Sequence, residues 1–448
     1  MNKLSKKDLF ILVLLLCCVP LVGAESAFMQ ASVPARVVET AGEKLSLESA
    51  ITLALKESED LQISENEILK LNAQYRDVRA EIYPQIEGVS SWQRNIKYPR
   101  NGLTEDYASV NSIEVNQLLW AFGRVKSAVN AAREAVLVNF FNKEKTKQDV
   151  IFSAKQAYYL ALLSEETLRI TQASYENATM NKTILENRSS SGRVSKRDII
   201  KMDADIAARL PQVTAARRQY VSSLNTLRII TGFSVNREFN LSERFAEKYA
   251  PVNFEELKER MFFSEPYIKA LEKQVLFKEE LIRQQKAGHY PTVKAFMDYA
   301  YNGSDDAGLL GSGNTDSNAS AGVKVTVPIF TGWRTTAKID QAVADRDNAK
   351  LTLQKEKEKF LLQLENTVSD YHEYIATYKA NQQAVQLAEQ AFELTQELFA
   401  SGLSTLTDLN DAELQLTNQK LQLEQTLYNI NISMALIEQL TQAAEETV

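Results

Sequence analysis

From Arg124 to Thr231 the chain contains one glycine, Gly192, and from Arg334 to Val448 it contains one, Gly402. Proline is absent from Arg100 to Leu210 and again after Pro328. Glycine and proline are the residues that most readily interrupt helices. Each stretch therefore reads as a very long helix folded back once, at its lone glycine. A helix from Arg124 to Asn187 would be about 95 Å long at 1.5 Å per residue, and one from Arg334 to Phe399 about the same. The returning segments, Ser195–Ile230 and Thr405–Thr441, are shorter, and Pro211 is a kink site in the first. Upstream helices are expected over Leu47–Ile82 and Phe254–Lys286, where they can stack end to end with the returning helices. An ordinary globular core does not need helices of this length. A device that spans a distance does.

The periodicity agrees. Phe360, Leu364, Val368, Tyr371, Ile375 and Tyr378 follow spacings of 4, 4, 3, 4 and 3. Beyond the second turn, Leu409, Leu416, Leu423, Leu427, Ile430, Met434 and Ile437 keep a near-strict seven-residue register, the seam of a coiled coil. Polar residues fill the remaining positions, as a solvated face requires.

The chain also repeats itself. Tyr83-Pro84 recurs as Tyr290-Pro291, and Phe122-Gly123-Arg124 recurs, one residue longer, as Phe330-Thr331-Gly332-Trp333-Arg334. Ser191-Gly192 with Asp198 recurs as Ser401-Gly402 with Asp408, and Leu227–Thr231 as Ile437–Thr441. The offsets run from 207 to 210, too long for a solenoid repeat. They indicate a duplicated structural unit.

Between its first helix and its long helix, each half carries two short segments of alternating character: Gln85–Tyr98 and Tyr107–Ala121, then Thr292–Asn302 and Ala319–Thr331. Val293, Ala295, Met297, Tyr299 and Tyr301 fall on one face of a strand, with Lys294, Asp298 and Asn302 on the other. Strands of this kind match the wall of a transmembrane barrel. Tyr83, Tyr98, Tyr107, Trp120, Phe122, Tyr290, Tyr301, Phe330 and Trp333 lie near their ends, as residues of a membrane-interface girdle do. Pro99–Asp106 and Gly303–Asn318 read as connecting loops. A soluble β-sandwich is the alternative for these segments alone. Four strands cannot enclose a lumen, whereas three chains would supply twelve.

Residues 1–24 carry the marks of a secretory signal: Lys3, Lys6 and Lys7, an apolar run from Leu9 to Val22, and Val22-Gly23-Ala24 before Glu25. Cys17 and Cys18 keep a lipoprotein signal as the rival reading, against which Leu16 stands where a small residue is wanted. Without this segment the chain has no cysteine, hence no disulfide or thiolate metal site. Losing Lys3, Lys6, Lys7 and Asp8 turns 51 basic and 58 acidic residues into 48 and 57, a net charge of −9 that gives no support for nucleic-acid binding.

The run Phe399-Ala-Ser-Gly402-Leu-Ser-Thr-Leu-Thr-Asp408-Leu-Asn-Asp411-Ala412 resembles the turn motif of the TolC-like outer-membrane efflux proteins, and Ser191-Gly192-Arg-Val-Ser-Lys-Arg-Asp198 is similar to its first-half counterpart. Ala80-Glu-Ile-Tyr83-Pro84 and Val327-Pro328-Ile-Phe330-Thr-Gly332 resemble the family's strand entry and exit. The resemblance covers about Leu45 to Gln442. It implies a mixed fold of long antiparallel coiled-coil helices plus transmembrane β, with two structural repeats and four strands per chain. A homotrimer would form a twelve-stranded outer-membrane barrel continuous with a twelve-helix periplasmic tunnel. The implied organisation is a signal peptide over 1–24, an extension over 25–44, repeats over 45–232 and 252–442, a linker over 233–251 and a tail over 443–448.

The same resemblance implies a passive exit duct of a tripartite efflux or type I secretion system in a Gram-negative outer membrane. Its partners would be further copies of itself, lipid, a periplasmic adaptor and an inner-membrane RND or ABC transporter. Gly192, Val194, Ser195, Gly402, Leu403 and Ser404 match the tip that docks the adaptor. Asp408 and Asp411 match a cation-selective ring at the aperture, although two helix-start acids complementing the helix dipole would look the same. Asp198, Phe399 and Ser404 stand at tip-closing positions. Two depart from one pattern within the family, with Ser404 in place of Arg and Phe399 in place of Tyr, so the salt-bridge and hydroxyl lock is in doubt; Lys196 and Arg197 are candidate substitutes. A soluble periplasmic scaffold is the competing class. His289 and His372 have no neighbouring ligand partner, and no nucleophile elbow occurs. Gly308–Thr315 has Asn314 where a phosphate loop needs Lys, so neither an enzyme nor a cofactor or metal site is expected.

Overall fold

The computed structural model describes residues 43–94, 107–189, 195–233, 239–245, 249–305 and 314–441. The expected signal segment and C-terminal tail lie outside them. Residues 44–236 and 241–448 form one compact unit; of the second, residues 1–43 and 237–240, only Glu43, Phe239 and Asn240 are described.

In chain order the elements are β1 (Glu43–Leu45), α1 (Leu47–Glu57), α2 (Glu59–Ala80), β2 (Gln85–Arg94), β3 (Tyr107–Trp120), α3 (Arg124–Ser189) and α4 (Lys196–Thr231). There follow β4 (Phe239–Leu241), α5 (Phe254–Ser264), α6 (Pro266–Lys286), β5 (Thr292–Asp305), β6 (Asn314–Thr326), α7 (Arg334–Ser401) and α8 (Leu406–Thr441). Helices α3 and α7 have 66 and 68 residues, about 100 Å each at the standard rise. Pro211 lies inside α4 without ending it.

Two expectations are corrected. The upstream helices are not continuous. Ser58 is extended at ψ 117° and caps α2 by accepting from Leu61 N–H. In the second half Glu265 separates α5 from α6, with Pro266 at the first helical position. A serine before Glu59 and Asp60, and a proline at its favoured place in a first helical turn, each mark the restart of a helix. The second strand pair also extends into the expected loop. Asn302, Gly303 and Ser304 pair with Asp316, Thr315 and Asn314. At its other end β6 stops at Thr326, two residues before Pro328, which has no N–H to give a ladder.

The four long strands form one antiparallel sheet in the order β2-β3-β5-β6, so each half contributes a hairpin and the halves join at β3–β5. The edges β2 and β6 have no partner strand among the described residues. The seam residues lie where the periodicity placed them. Phe360, Leu364, Val368, Tyr371 and Tyr378 of α7 pack with Ile430 and Ile437 of α8, and with Leu257, Met261 and Ile268 of α5 and α6. No described helix is long and apolar enough to cross a membrane.

Candidate functional site

The strand-to-helix junctions are built alike. Arg124 N–H donates to Ala121 O at 3.0 Å, and Arg334 N–H to Thr331 O at 3.3 Å. Each bend places two consecutive residues in the left-handed region, one aromatic and one glycine, in opposite order: Phe122 (φ 48°) then Gly123 (84°), and Gly332 (59°) then Trp333 (64°). Positive φ in a bulky residue is costly, so both aromatics are held there by their surroundings.

The first junction also joins aromatics that lie far apart in sequence. Phe122 stacks on Tyr290, and Trp120 meets Phe122 edge-on at 6.0 Å. Phe330 and Trp333 meet edge-on at 6.4 Å. With Tyr83 they are all exposed. Tyr301 lies near the other end of its strand, and Tyr107 begins β3 opposite Asp305. Tyr98 lies outside the described residues. Trp92, not picked out as an interface residue from sequence, is exposed one row from Tyr301. The Trp120–Val293 row and the Tyr301 row are eight residues apart, about 27 Å along a strand. On the same face lie Ile86, Ile113, Val115, Met297, Val323 and Val325. On the opposite face Glu87, Glu114 and Asp298 stand side by side across β2, β3 and β5, and Ser320 Oγ donates to Asp298 at 3.2 Å. Directly opposed like charges are unfavourable unless water screens them, so this face suits solvent.

At the other end of the helices, Gly402 (φ 83°) ends α7: its N–H reaches Phe399 O at 3.1 Å and Leu403 N–H reaches Leu398 O at 2.9 Å. This paired closure needs a left-handed residue at the glycine. Leu403 is left 78% exposed. Thr405 and Asp408 form a reciprocal cap. Thr405 N–H and Oγ1 donate to Asp408 Oδ2 at 2.9 and 2.7 Å, Ser404 Oγ adds a bond at 3.2 Å, and Asp408 N–H returns to Thr405 Oγ1 at 3.2 Å. The Thr405 backbone and side-chain bonds hold the exposed Asp408 carboxyl below its ordinary range. Asp411 is exposed one turn further on. In the first hairpin Ser195 caps α4 by accepting from Arg197 N–H at 3.1 Å, and Asp198 follows in its first turn. Gly192 and Val194 lie outside the described residues.

Phe399 is buried. It is 4% exposed, within a cluster shared with Leu185 of α3, Met202 of α4 and Leu409 of α8. Arg188 lies over its ring at 5.0 Å and donates to Ala400 O. Deeper still, Arg209 of α4 pairs with Glu413 of α8 at 2.8 Å, with Asp205 at 2.8 Å, and donates to Ser174 O of α3 at 2.9 Å. Burial pushes the Glu413 carboxyl up, against the pull of Arg209. Sequence reasoning missed this group, yet it left a signal. The α8 seam runs from Leu409 to Leu416 with no apolar residue four after Leu409, and Glu413 stands there. Among the described residues no three His, Cys, Asp or Glu side chains group as metal ligands would.

A sheet with one apolar and one polar face, joined to helical hairpins about 100 Å long, has the form of a barrel wall continuous with a helical tunnel. The chain belongs to the outer membrane efflux protein family, whose profile matches residues 50–233 and 263–442. It is 22% identical over 388 residues to the solvent efflux pump outer membrane protein SrpC of Pseudomonas putida, covering 86% of this chain and 82% of that one. It is 24% identical over 298 residues to outer membrane protein TolC of Vibrio cholerae serotype O1, covering 66% and 68%. The crystal structure of CusC has the same fold, with a TM-score of 0.76 at 17% identity over 91% of this chain and 96% of that one. That of VceC from Vibrio cholerae gives 0.75 at 18% identity, over 89% and 97%. Its place is therefore the outer membrane of a Gram-negative cell, where it serves as an exit duct for efflux.

Proposed function

We propose that three copies join edge to edge into a twelve-stranded barrel continuous with a twelve-helix tunnel, and that an inner-membrane pump and a periplasmic adaptor drive cargo through it. The bare edges of the four-stranded sheet carry this reading. Long unpaired edges are a template for further strands, and closure alone removes them. Joining β6 of one copy to β2 of the next puts Val293, Met297 and Tyr299 against lipid and Glu87, Glu114 and Asp298 in the lumen. With the usual ~40° strand tilt, the aromatic rows then mark the two interfaces of a band about 20 Å tall, somewhat under the usual ~25 Å.

The helical hairpins close the duct in the periplasm. Exposed Leu403, with Gly402, Ser404 and Ser195, forms the surface that the adaptor meets. Asp198, Phe399 and Ser404 act in closing the tip, Ser404 through its bond to Asp408 and Phe399 from inside the helical core. Asp408 and Asp411, repeated by threefold symmetry, give six carboxylates that favour cations at the aperture. Relatives are named for solvents, toluene and cations.

Purification in detergent tests the assembly. A trimer that resists SDS until heated, and that conducts in planar bilayers, is the expected result. A stable monomer by mass photometry overturns it.

A further inference from the structure

The chain carries 58 acidic and 51 basic residues, yet one layer of it reverses the balance. On the helix side of the junctions, within five residues of Tyr83, Phe122, Tyr290 or Trp333, stand Arg79, Arg124, Lys126, Lys286, Arg334 and Lys338. Glu81 is the one carboxylate among them. The cations are exposed, Arg124 partly so. Their placement recurs in both halves. Arg79 and Lys286 stand four residues before Tyr83 and Tyr290, and Arg124 and Arg334 begin α3 and α7. Gln117 Nε2 donates to Ile82 O at 2.8 Å, which holds the end of α2 beside β3. A Cβ at Gly288 would stand 3.3 Å from Thr335 Cγ2, so the end of α6 lies beside the start of α7.

Neither the helix dipole nor ion pairing accounts for these cations. Arg79 and Lys286, in the last turns of α2 and α6, suit the dipole. Arg124, Lys126, Arg334 and Lys338 oppose it, and the first turns of α3 and α7 hold no acid. Further along the helices Lys143, Lys273, Lys278 and Arg283 each have a carboxylate partner. The six cations at the junctions have none among the described residues. A phosphate-bearing lipid surface does account for them. Headgroups add about 5–8 Å to each side of a hydrocarbon core, and five residues of helix rise about 7.5 Å. With the aromatic row at the inner boundary of that layer, all six positions fall within it. There the surface potential of anionic lipids stabilises Lys and Arg.

We propose that these six residues form a belt that binds anionic phospholipid headgroups in the leaflet facing the periplasm, repeated around the duct by threefold symmetry. This rests on the reading of the sheet as a barrel wall. Trp120, Tyr290 and Trp333 lie where acyl chains meet headgroups, and the cations just beyond them take up the phosphates. Arg124 and Arg334 can each hold a phosphate through two N–H groups at once.

The tryptophans make the belt testable. Of the three in the chain, Trp120 and Trp333 stand beside it, and Trp92 lies toward the far end of the strands. Trp92→Phe therefore leaves fluorescence that reports on the belt. That full-length variant is reconstituted in phosphatidylcholine vesicles holding a minor share of chain-brominated phosphatidylglycerol, or the same share of chain-brominated phosphatidylcholine. Quenching by the two lipids gives their relative affinity for this surface. We expect phosphatidylglycerol to be favoured at least threefold. In 1 M salt, where the screening length is about 3 Å, the ratio should fall to near one. It should fall likewise when Arg124→Gln, Lys126→Gln, Arg334→Gln and Lys338→Gln are combined. Equal quenching by the two lipids overturns the proposal, as does a preference that high salt or the fourfold variant leaves unchanged. If the fourfold variant does not assemble, the salt series decides. Tryptophans quenched by neither brominated lipid would instead defeat the barrel reading itself.

Discussion

Phe122, from the first half of the chain, stacks on Tyr290, from the second, with ring centroids 5.3 Å apart and planes 13° from parallel. Phe122 reaches this position at φ 48°. Such a conformation costs a bulky L-residue about 1–2 kcal/mol, and a stacked aromatic pair returns about 0.5–1.5 kcal/mol beyond its buried area. Phe122→Ala keeps the strain and loses the ring. Phe122→Gly loses both. We expect both variants to lower the temperature at which the SDS-resistant oligomer dissociates, with the glycine variant retaining more stability by about 1 kcal/mol. Equal losses would mean that the bend stores no strain.

Gly402 closes α7 at φ 83°, with open space where a Cβ would stand. The penalty of Gly402→Ala is therefore conformational and not steric. We expect a loss of about 1–2 kcal/mol, read as a lower unfolding midpoint by helix circular dichroism. Gly402→Asn should lose less, because asparagine tolerates the left-handed region. If alanine and asparagine behave alike, the paired closure at Phe399 and Leu398 is not what sets the turn.

Asp408 and Asp411 separate by experiment because the structure gives them different duties. Asp408 is engaged by Thr405 and Ser404, so Asp408→Ala removes a helix cap along with its charge. Asp411→Asn removes charge alone. Both are expected to shift the reversal potential under a salt gradient toward lower cation preference, and to weaken block by multivalent cations. Only Asp408→Ala should also lower stability, read as a lower unfolding midpoint. An unchanged reversal potential in Asp411→Asn would remove that residue from the aperture.

Glu265 lies in the break between α5 and α6, where Tyr267 N–H donates to it at 3.3 Å and its second oxygen is buried without a partner. Burial pushes its carboxyl up to about 7 from an ordinary 4.5, although Lys145 pulls it down. Between those values the folded chain binds more protons than the unfolded chain. Folding therefore weakens as pH rises from about 4.5 through 7. Glu265→Gln should remove that dependence. Relative to the variant, wild type should be nearly as stable at pH 5 and less stable at pH 8, by up to about 3 kcal/mol. Urea midpoints at the two pH values check this. A gap that does not change with pH would place the titration elsewhere.

Much of the architecture was legible because its determinants are local. The lone glycine at 402, long runs without proline and a seven-residue seam specify long helices and the second turn with no reference to partners. The breaks at Ser58 and Glu265 were harder to see, since each is set by one capping residue inside a pattern that stays helical on both sides. The reach of β5 and β6 into a segment rich in Gly, Asp, Ser and Asn was hidden for a different reason. Pairing supplied those residues with hydrogen bonds that composition does not reveal.

The sequence by itself determined the duplication, the reversal points of the helices and the two-faced character of the strands, because periodicity and backbone propensity act over a few neighbouring residues. The tertiary structure alone decided that Phe122 meets Tyr290, that Phe399 faces inward, and that Arg209 finds Glu413 two hundred residues away. Those pairings depend on which helices and strands lie side by side. No local spacing encodes that, and the enclosure they create is what turns a carboxylate and a guanidinium from surface charges into a joint.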